Sequence, residues 1–103
     1  MIIRQGDLMM RRVGSVSASR RAATVTLAVG EESGHSHVVD GWLDRPLTAD
    51  KPGLVSVGQT QLRVAGMPWR HGAIIVPSGQ YEFWIQRELT ENEELEEVRR
   101  VQD

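Results

Sequence analysis

The sequence predicts an all-β fold, a small single-domain antiparallel β-barrel or roll over residues 1–103, with a short C-terminal extension. Three observations support this fold class. Apolar and polar residues alternate over short runs, residues that favour turns separate the runs, and no central stretch has the period of a helix. Many short strands at short spacing are typical of small barrels and rolls.

The run ATVTLAVG is a clear example, because Val25, Leu27 and Val29 fall on one face of a strand. Asp40–Gly41 between apolar runs predicts a β-hairpin with a type I′ turn. Residues 73–76, AIIV, are apolar throughout and predict a central strand covered on both faces. The predicted strands are residues 24–29, 36–39, 42–44, 54–57, 60–64, 73–76 and 80–87.

Two stretches are less regular. Residues 11–21 mix serines and a glycine with arginines, and we expect a surface loop there. Residues 90–103 leave two alternatives open: Thr90 and Glu93 have the spacing of a helix capping box, whereas Val98 and Val101 also suit a final extended segment.

Composition excludes several kinds of site. The chain has no cysteine, so disulfides, thiolate metal sites and cysteine nucleophiles are ruled out. No apolar run is long enough for a signal peptide or a membrane span, and we expect a cytoplasmic protein outside the membrane. The N-terminal arginines have no aromatic residues among them, which does not favour nucleic-acid binding.

The histidines provide the candidate site. His35 and His37 lie two positions apart, so in a strand their side chains share one face and can converge on one ion. Catalytic zinc and non-haem iron sites typically have three protein ligands, and His71 or Glu82 would complete the set. The sequence therefore predicts a divalent metal site for Zn, Fe, Mn or Ni with ligands from His35, His37, His71 and Glu82.

Other interpretations of the histidines stay open. The histidines can be structural residues that form hydrogen bonds with backbone groups in the turn before the hairpin. The protein would then be a non-enzymatic oligomeric interaction module. The histidines can also act directly in acid–base chemistry. No catalytic residue, substrate or small-molecule ligand is assigned. If His37 is a ligand at a cavity mouth, its replacement by alanine should abolish metal retention and leave the fold largely intact.

One resemblance is to cupins, which have jelly-roll folds. Gly30, His35 and His37 resemble the first cupin motif, and the series from Gly72 through Pro77, Gly79 and Glu82 to Gln86 resembles the second. Both leading glycines are one residue too close, the first-motif glutamate is absent, and Glu82 stands where the second motif has histidine. The resemblance implies a metal site in the barrel.

A second resemblance covers more of the chain. QGD at residues 5–7, GHSH at 34–37, and PSGQYEFWIQRE at 77–88 look like the motifs of small uncharacterised bacterial and phage-associated proteins. His35, His37 and His71 fall at positions shared with that group. The resemblance implies that the three histidines function together. It implies no particular activity.

The aromatic residues predict self-association. Tyr81 and Phe83 share one face of a predicted strand, and Trp84 lies on the other. A side chain of that size outside the core is expected to line a pocket or a subunit contact. We expect a homodimer joined through a strand face or edge.

Overall fold

The computed structural model describes residues 1–16, 21–29, 36–66 and 72–86, and it confirms the all-β fold. The strands pair antiparallel in a nearly closed, barrel-shaped sheet. None of the described residues forms a helix, so that part of the chain holds no helix that could cross a membrane. The strands are β1 (Ile2–Gln5), β2 (Leu8–Gly14), β3 (Ala23–Val29), β4 (Ser36–Arg45), β5 (Gly53–Val57), β6 (Thr60–Ala65), β7 (Ile74–Val76) and β8 (Gly79–Ile85).

The long strand β4 connects the parts of the sheet. The order of paired strands is β1-β2-β8-β5-β4-β6-β7, and β3 pairs with β4 outside this path. The first half of β4 pairs with β3 and β6, and its second half pairs with β5. Strands β1 and β7 therefore stand at the two ends of the order, where the barrel has to close.

Alternation along the strands places the core inside the barrel. In β8, Tyr81 and Phe83 are buried, whereas Glu82 and Trp84 face outwards, as the sequence predicts. The Tyr81 hydroxyl donates to the backbone oxygen of Pro77 at 2.8 Å, so its polar end is paired at the edge of the core. The buried cluster is Ile3, Leu8, Met10, Leu27, Val39, Val55, Val57, Leu62, Ile74, Val76, Tyr81 and Phe83.

The predicted hairpin at Asp40–Gly41 is wrong, because β4 runs through both residues. Asp40 pairs with Thr24 and Gly41 with Ala23 in the β3–β4 ladder. The Asp40 carboxylate accepts hydrogen bonds from Arg63 and Thr24, and the bond from Arg63 lowers its pKa below the ordinary value. Strand pairing therefore outweighs the local turn preference.

Gly41 is needed here for close packing. A Cβ atom at Gly41 would overlap the backbone oxygen of Ser56 and lie 2.9 Å from Val57 Cγ1. The backbones of β4 and β5 thus approach closely at the point where β4 passes from one ladder to the next.

The tightest hairpin lies near the N-terminus, where no strand was predicted. Gln5 pairs with Leu8, and Gly6 has φ 58°, whereas Asp7 has no positive φ. This is the pattern of a type II′ turn, which takes glycine at its first central position. Part of the stretch expected to be a surface loop is also strand, because residues 11–14 belong to β2, and Arg11, Arg12 and Gly14 pair with β8.

The other predicted strands are confirmed with small shifts of their ends. They correspond to β3, β5, β6, β7 and β8. The prediction that residues 73–76 are covered on both faces is wrong, because β7 is a terminal strand and the side chain of Ile75 is 63% exposed. Residues 90–103 lie outside the described residues.

We predict that Gly41→Ala lowers the free energy of unfolding by about 1–3 kcal/mol, since the added methyl group overpacks the β4–β5 contact. Gly58→Ala is the matched control, because a Cβ atom at Gly58 would meet no heavy atom within 4 Å beyond its chain neighbours. Urea denaturation of both variants checks the difference. Equal stability of the two variants would contradict the close approach at Gly41.

Candidate functional site

Gln5 is a fully buried polar residue at the end of β1. Its side-chain nitrogen Nε2 donates to the backbone oxygens of Leu62, at 3.2 Å, and Gly72, at 2.9 Å. The last residue pair of the β6–β7 ladder is Leu62 with Ile74, so both carbonyls lie where these strands separate. One amide group therefore joins the end of β1 to β6 and to the segment that leads into β7.

His37 lies in the middle of three strands, paired with Ala28 of β3 and Val64 of β6. Its side chain is fully buried, and its Nδ1 lies 2.8 Å from Oε1 of Gln5. Because both carbonyls contact Nε2 of Gln5, the amide orientation is fixed and Oε1 has to accept from the ring. Nδ1 of His37 therefore carries a proton, and a neutral ring has its lone pair on Nε2.

Asp7 brings a carboxylate to the other side of this ring. It occupies the second central position of the β1–β2 turn, and its backbone oxygen accepts from the backbone nitrogen of Gln86 at 2.8 Å. Its Oδ1 lies 3.6 Å from Nε2 of His37, and its side chain is 22% exposed. The site thus has a buried imidazole and a carboxylate that reaches solvent.

The 3.6 Å between Nε2 of His37 and Oδ1 of Asp7 is compatible with two kinds of positive charge. A proton on Nε2 would make the contact an ion pair, and a metal ion could bind both atoms. A nitrogen lone pair that faces a carboxylate oxygen directly is an unfavourable arrangement.

Of the four predicted site residues, the structure describes His37 and Glu82. His35 and His71 lie outside the described residues. Glu82 faces the outside of β8, where its carboxylate accepts from Arg11 at 3.2 Å, so it contacts Arg11 and not His37. In residues 1–16, 21–29, 36–66 and 72–86, no three histidine, aspartate or glutamate side chains form a metal-binding group.

The position of His37 corrects one expectation. The ring is fully buried and bonded to Gln5, so it does not lie at a cavity mouth. Its replacement by alanine would leave a cavity and remove the ring from Oε1 of Gln5, and both changes destabilise a fold. Loss of metal by that variant alone would therefore not separate binding from unfolding.

Gln5 and Asp7 are the partners of His37 that strand alternation does not reveal. Their distance from His37 along the chain is bridged only by the tertiary fold. The sequence does contain one signal, the Gly6–Asp7 dipeptide, because Gly-Asp between two strands is a hairpin pattern. That hairpin places Gln5 and Asp7 on either side of its turn glycine.

Trp84 lines an open groove, as one of the sequence alternatives predicts. The groove is formed by residues 47–52 together with Trp84 and Ile85. The guanidinium of Arg11 lies over the indole, 5.5 Å from its centroid. Trp84 is therefore partly covered by its own chain.

A family model described as Domain of unknown function (DUF8820) matches residues 4–86. The matched region includes Gln5, Asp7 and His37, and it ends at Gln86, whose backbone binds Asp7. Comparison with curated proteins and with solved structures found no match in either case.

We predict that Gln5→Met lowers the free energy of unfolding by about 2 kcal/mol or more, because it removes three hydrogen bonds from a buried position of nearly unchanged volume. Gln61→Met is the control, since Gln61 is an exposed residue of β6. Denaturant unfolding at neutral pH measures both variants. Similar losses in both would show that the Gln5 amide does not hold the barrel closed.

Proposed function

The chain belongs to the DUF8820 family, and we propose that it binds a divalent metal ion at a histidine site that includes His37 and Asp7. One observation carries the proposal: Nε2 of His37 and Oδ1 of Asp7 are 3.6 Å apart, while Nδ1 of the same ring faces Oε1 of Gln5 at 2.8 Å. Two ligands placed tetrahedrally at 2.0–2.2 Å from one ion are separated by about 3.3–3.6 Å. The two atoms are thus spaced for a shared ion.

The environment of His37 supports the same proposal. A histidine that binds metal usually donates its other ring N–H to an oxygen atom, which fixes the ring and raises the basicity of the ligand nitrogen. Oε1 of Gln5 accepts in this way. The Asp7 side chain is 22% exposed, so one of the two proposed ligands reaches solvent.

Two further ligands are proposed from the sequence alone, His35 and His71. A set of histidines with one carboxylate suits Zn or Fe, and Mn and Ni also accept such ligands. Glu82 is left out of the proposed set, because its carboxylate is bound to Arg11 on the outer face. The proposal concerns binding of the ion and assigns no reaction.

We predict that protein purified without a histidine tag retains a divalent metal, and that Asp7→Asn weakens zinc binding by roughly tenfold or more, about 1.4 kcal/mol. Asparagine keeps the size of the side chain and the backbone bond to Gln86, but it removes the negative charge. Elemental analysis identifies the metal, and titration calorimetry on the metal-free protein measures the dissociation constant.

Asp50→Asn is the matched control, because Asp50 lies on an exposed loop. It should leave the zinc dissociation constant unchanged. A wild-type protein that neither retains metal nor takes up zinc, manganese, nickel or ferrous iron would overturn the proposal. The contact between His37 and Asp7 would then be an ion pair with a protonated ring.

A second candidate function is self-association, and the exposed side chain of Ile75 favours it. Ile75 lies on β7, which ends the strand order. Pairing of β7 with β7 of a second copy would cover this side chain and continue the sheet. In this second proposal the protein is a non-enzymatic interaction module, and its function is to form the dimer.

We predict that the protein is a dimer at high micromolar concentration and that Ile75→Lys makes it monomeric, because a charge on an edge strand opposes pairing. Leu43→Lys is the control, since Leu43 is exposed on β4, away from the β7 edge. Light scattering coupled to gel filtration measures the molar mass. A monomeric wild type, or equal dissociation of both variants, would contradict the β7 interface.

A further inference from the structure

We infer that Gln5 is a positioning residue, which keeps the His37 proton on Nδ1 and thereby reserves Nε2 for a cation shared with Asp7. The inference rests on the proposed metal function. It adds that Gln5 keeps the ligand nitrogen of His37, Nε2, unprotonated. Three observations support it: the burial of both side chains, the orientation of the amide, and the location of the carboxylate.

The orientation of the Gln5 amide is determined by its surroundings. Its nitrogen lies 3.2 Å from the oxygen of Leu62 and 2.9 Å from the oxygen of Gly72. A reversed amide would place its own oxygen against two carbonyl oxygens, with no hydrogen between them. Both N–H groups are therefore used, and only an acceptor is left to face Nδ1.

Asp7 alone would favour the opposite tautomer. A neutral imidazole carries one proton, and a carboxylate near Nε2 attracts that proton, as in other pairs of histidine and carboxylate. A ring with Nε2–H would bond to Asp7 and have no lone pair there for a metal ion. The buried acceptor on Gln5 opposes this, because Nδ1–H donates to it at 2.8 Å.

The Gln5 amide also makes the tautomer of His37 depend on closure of the barrel. Its two donors join the end of β1 to the point where β6 and β7 separate, and its acceptor holds His37 on β4. If the closure opened, the amide would lose the bonds that orient it. The competence of Nε2 to bind a cation therefore depends on a closed barrel.

The first test uses the metal-free wild-type protein. Long-range proton–nitrogen NMR correlation of the His37 ring at about pH 8, above the ordinary imidazole range, reports which nitrogen carries the proton. We expect Nδ1–H and a lone pair on Nε2. A ring with Nε2–H in the wild type would overturn the inference without any variant.

The second test compares Gln5→Glu with Gln5→Met. Both variants lose the donors to Leu62 and Gly72, so both should be less stable than the wild type. Gln5→Glu keeps an acceptor for Nδ1–H, whereas Gln5→Met does not. We expect Gln5→Met to shift the ring to Nε2–H and weaken zinc binding by about 10- to 100-fold, while Gln5→Glu keeps Nδ1–H and binds at least about tenfold more tightly than Gln5→Met.

The outcomes separate this inference from the proposed function. If the two variants bind zinc equally weakly and both keep Nδ1–H, the inference that Gln5 positions the proton of His37 is overturned. Gln5 would then have only a structural role. Should Gln5→Met fail to fold, the wild-type tautomer and the Gln5→Glu measurements decide the question. Nδ1–H in a wild-type protein that takes up no metal would overturn metal binding and leave the tautomer assignment intact.

Discussion

The Gln5 amide is the interaction on which barrel closure depends. Backbone ladders join every neighbouring pair of strands from β1 to β7, whereas a side chain joins the end of β1 to β6 and to Gly72, which leads into β7. A glutamine suits this position because it has two donors for two carbonyls and one acceptor for a ring nitrogen. Burial strengthens these bonds, and it also makes the loss of any one of them costly.

The strands were predictable where the pattern was local. Alternation in β8 follows from burial of one face, whereas in β3 only Leu27 is buried, because the ladder with β4 is interrupted between Thr26 and Ala28 and Val29 is exposed. Asp40–Gly41 was misread because a dipeptide carries the same turn preference in any context, whereas here β3 pairs with both residues. The close approach to Ser56 supplies another reason for glycine, one that only the packed structure reveals.

The site was predictable only where a local feature of the sequence marked a residue. His37 could be selected because histidines are few in this chain, and the structure adds that it is buried. Gln5 and Asp7 carry no pattern that marks them as its partners, since the contacts form only when the β1–β2 hairpin packs against β4 and β6. Glu82 was selected from its strand face, but that face points outwards, to Arg11.

A purely structural role explains part of this arrangement. Gln5 and His37 satisfy one another and the nearby carbonyls, and such networks give a buried site a unique geometry. Closure alone does not require Asp7, whose carboxylate reaches solvent and forms no part of the amide network. Placing a negative charge beside a buried nitrogen lone pair costs free energy unless a cation occupies the space. The carboxylate is therefore the feature on which the proposed metal site rests, and the proposed part of Gln5 is to keep the His37 proton on Nδ1, away from that carboxylate.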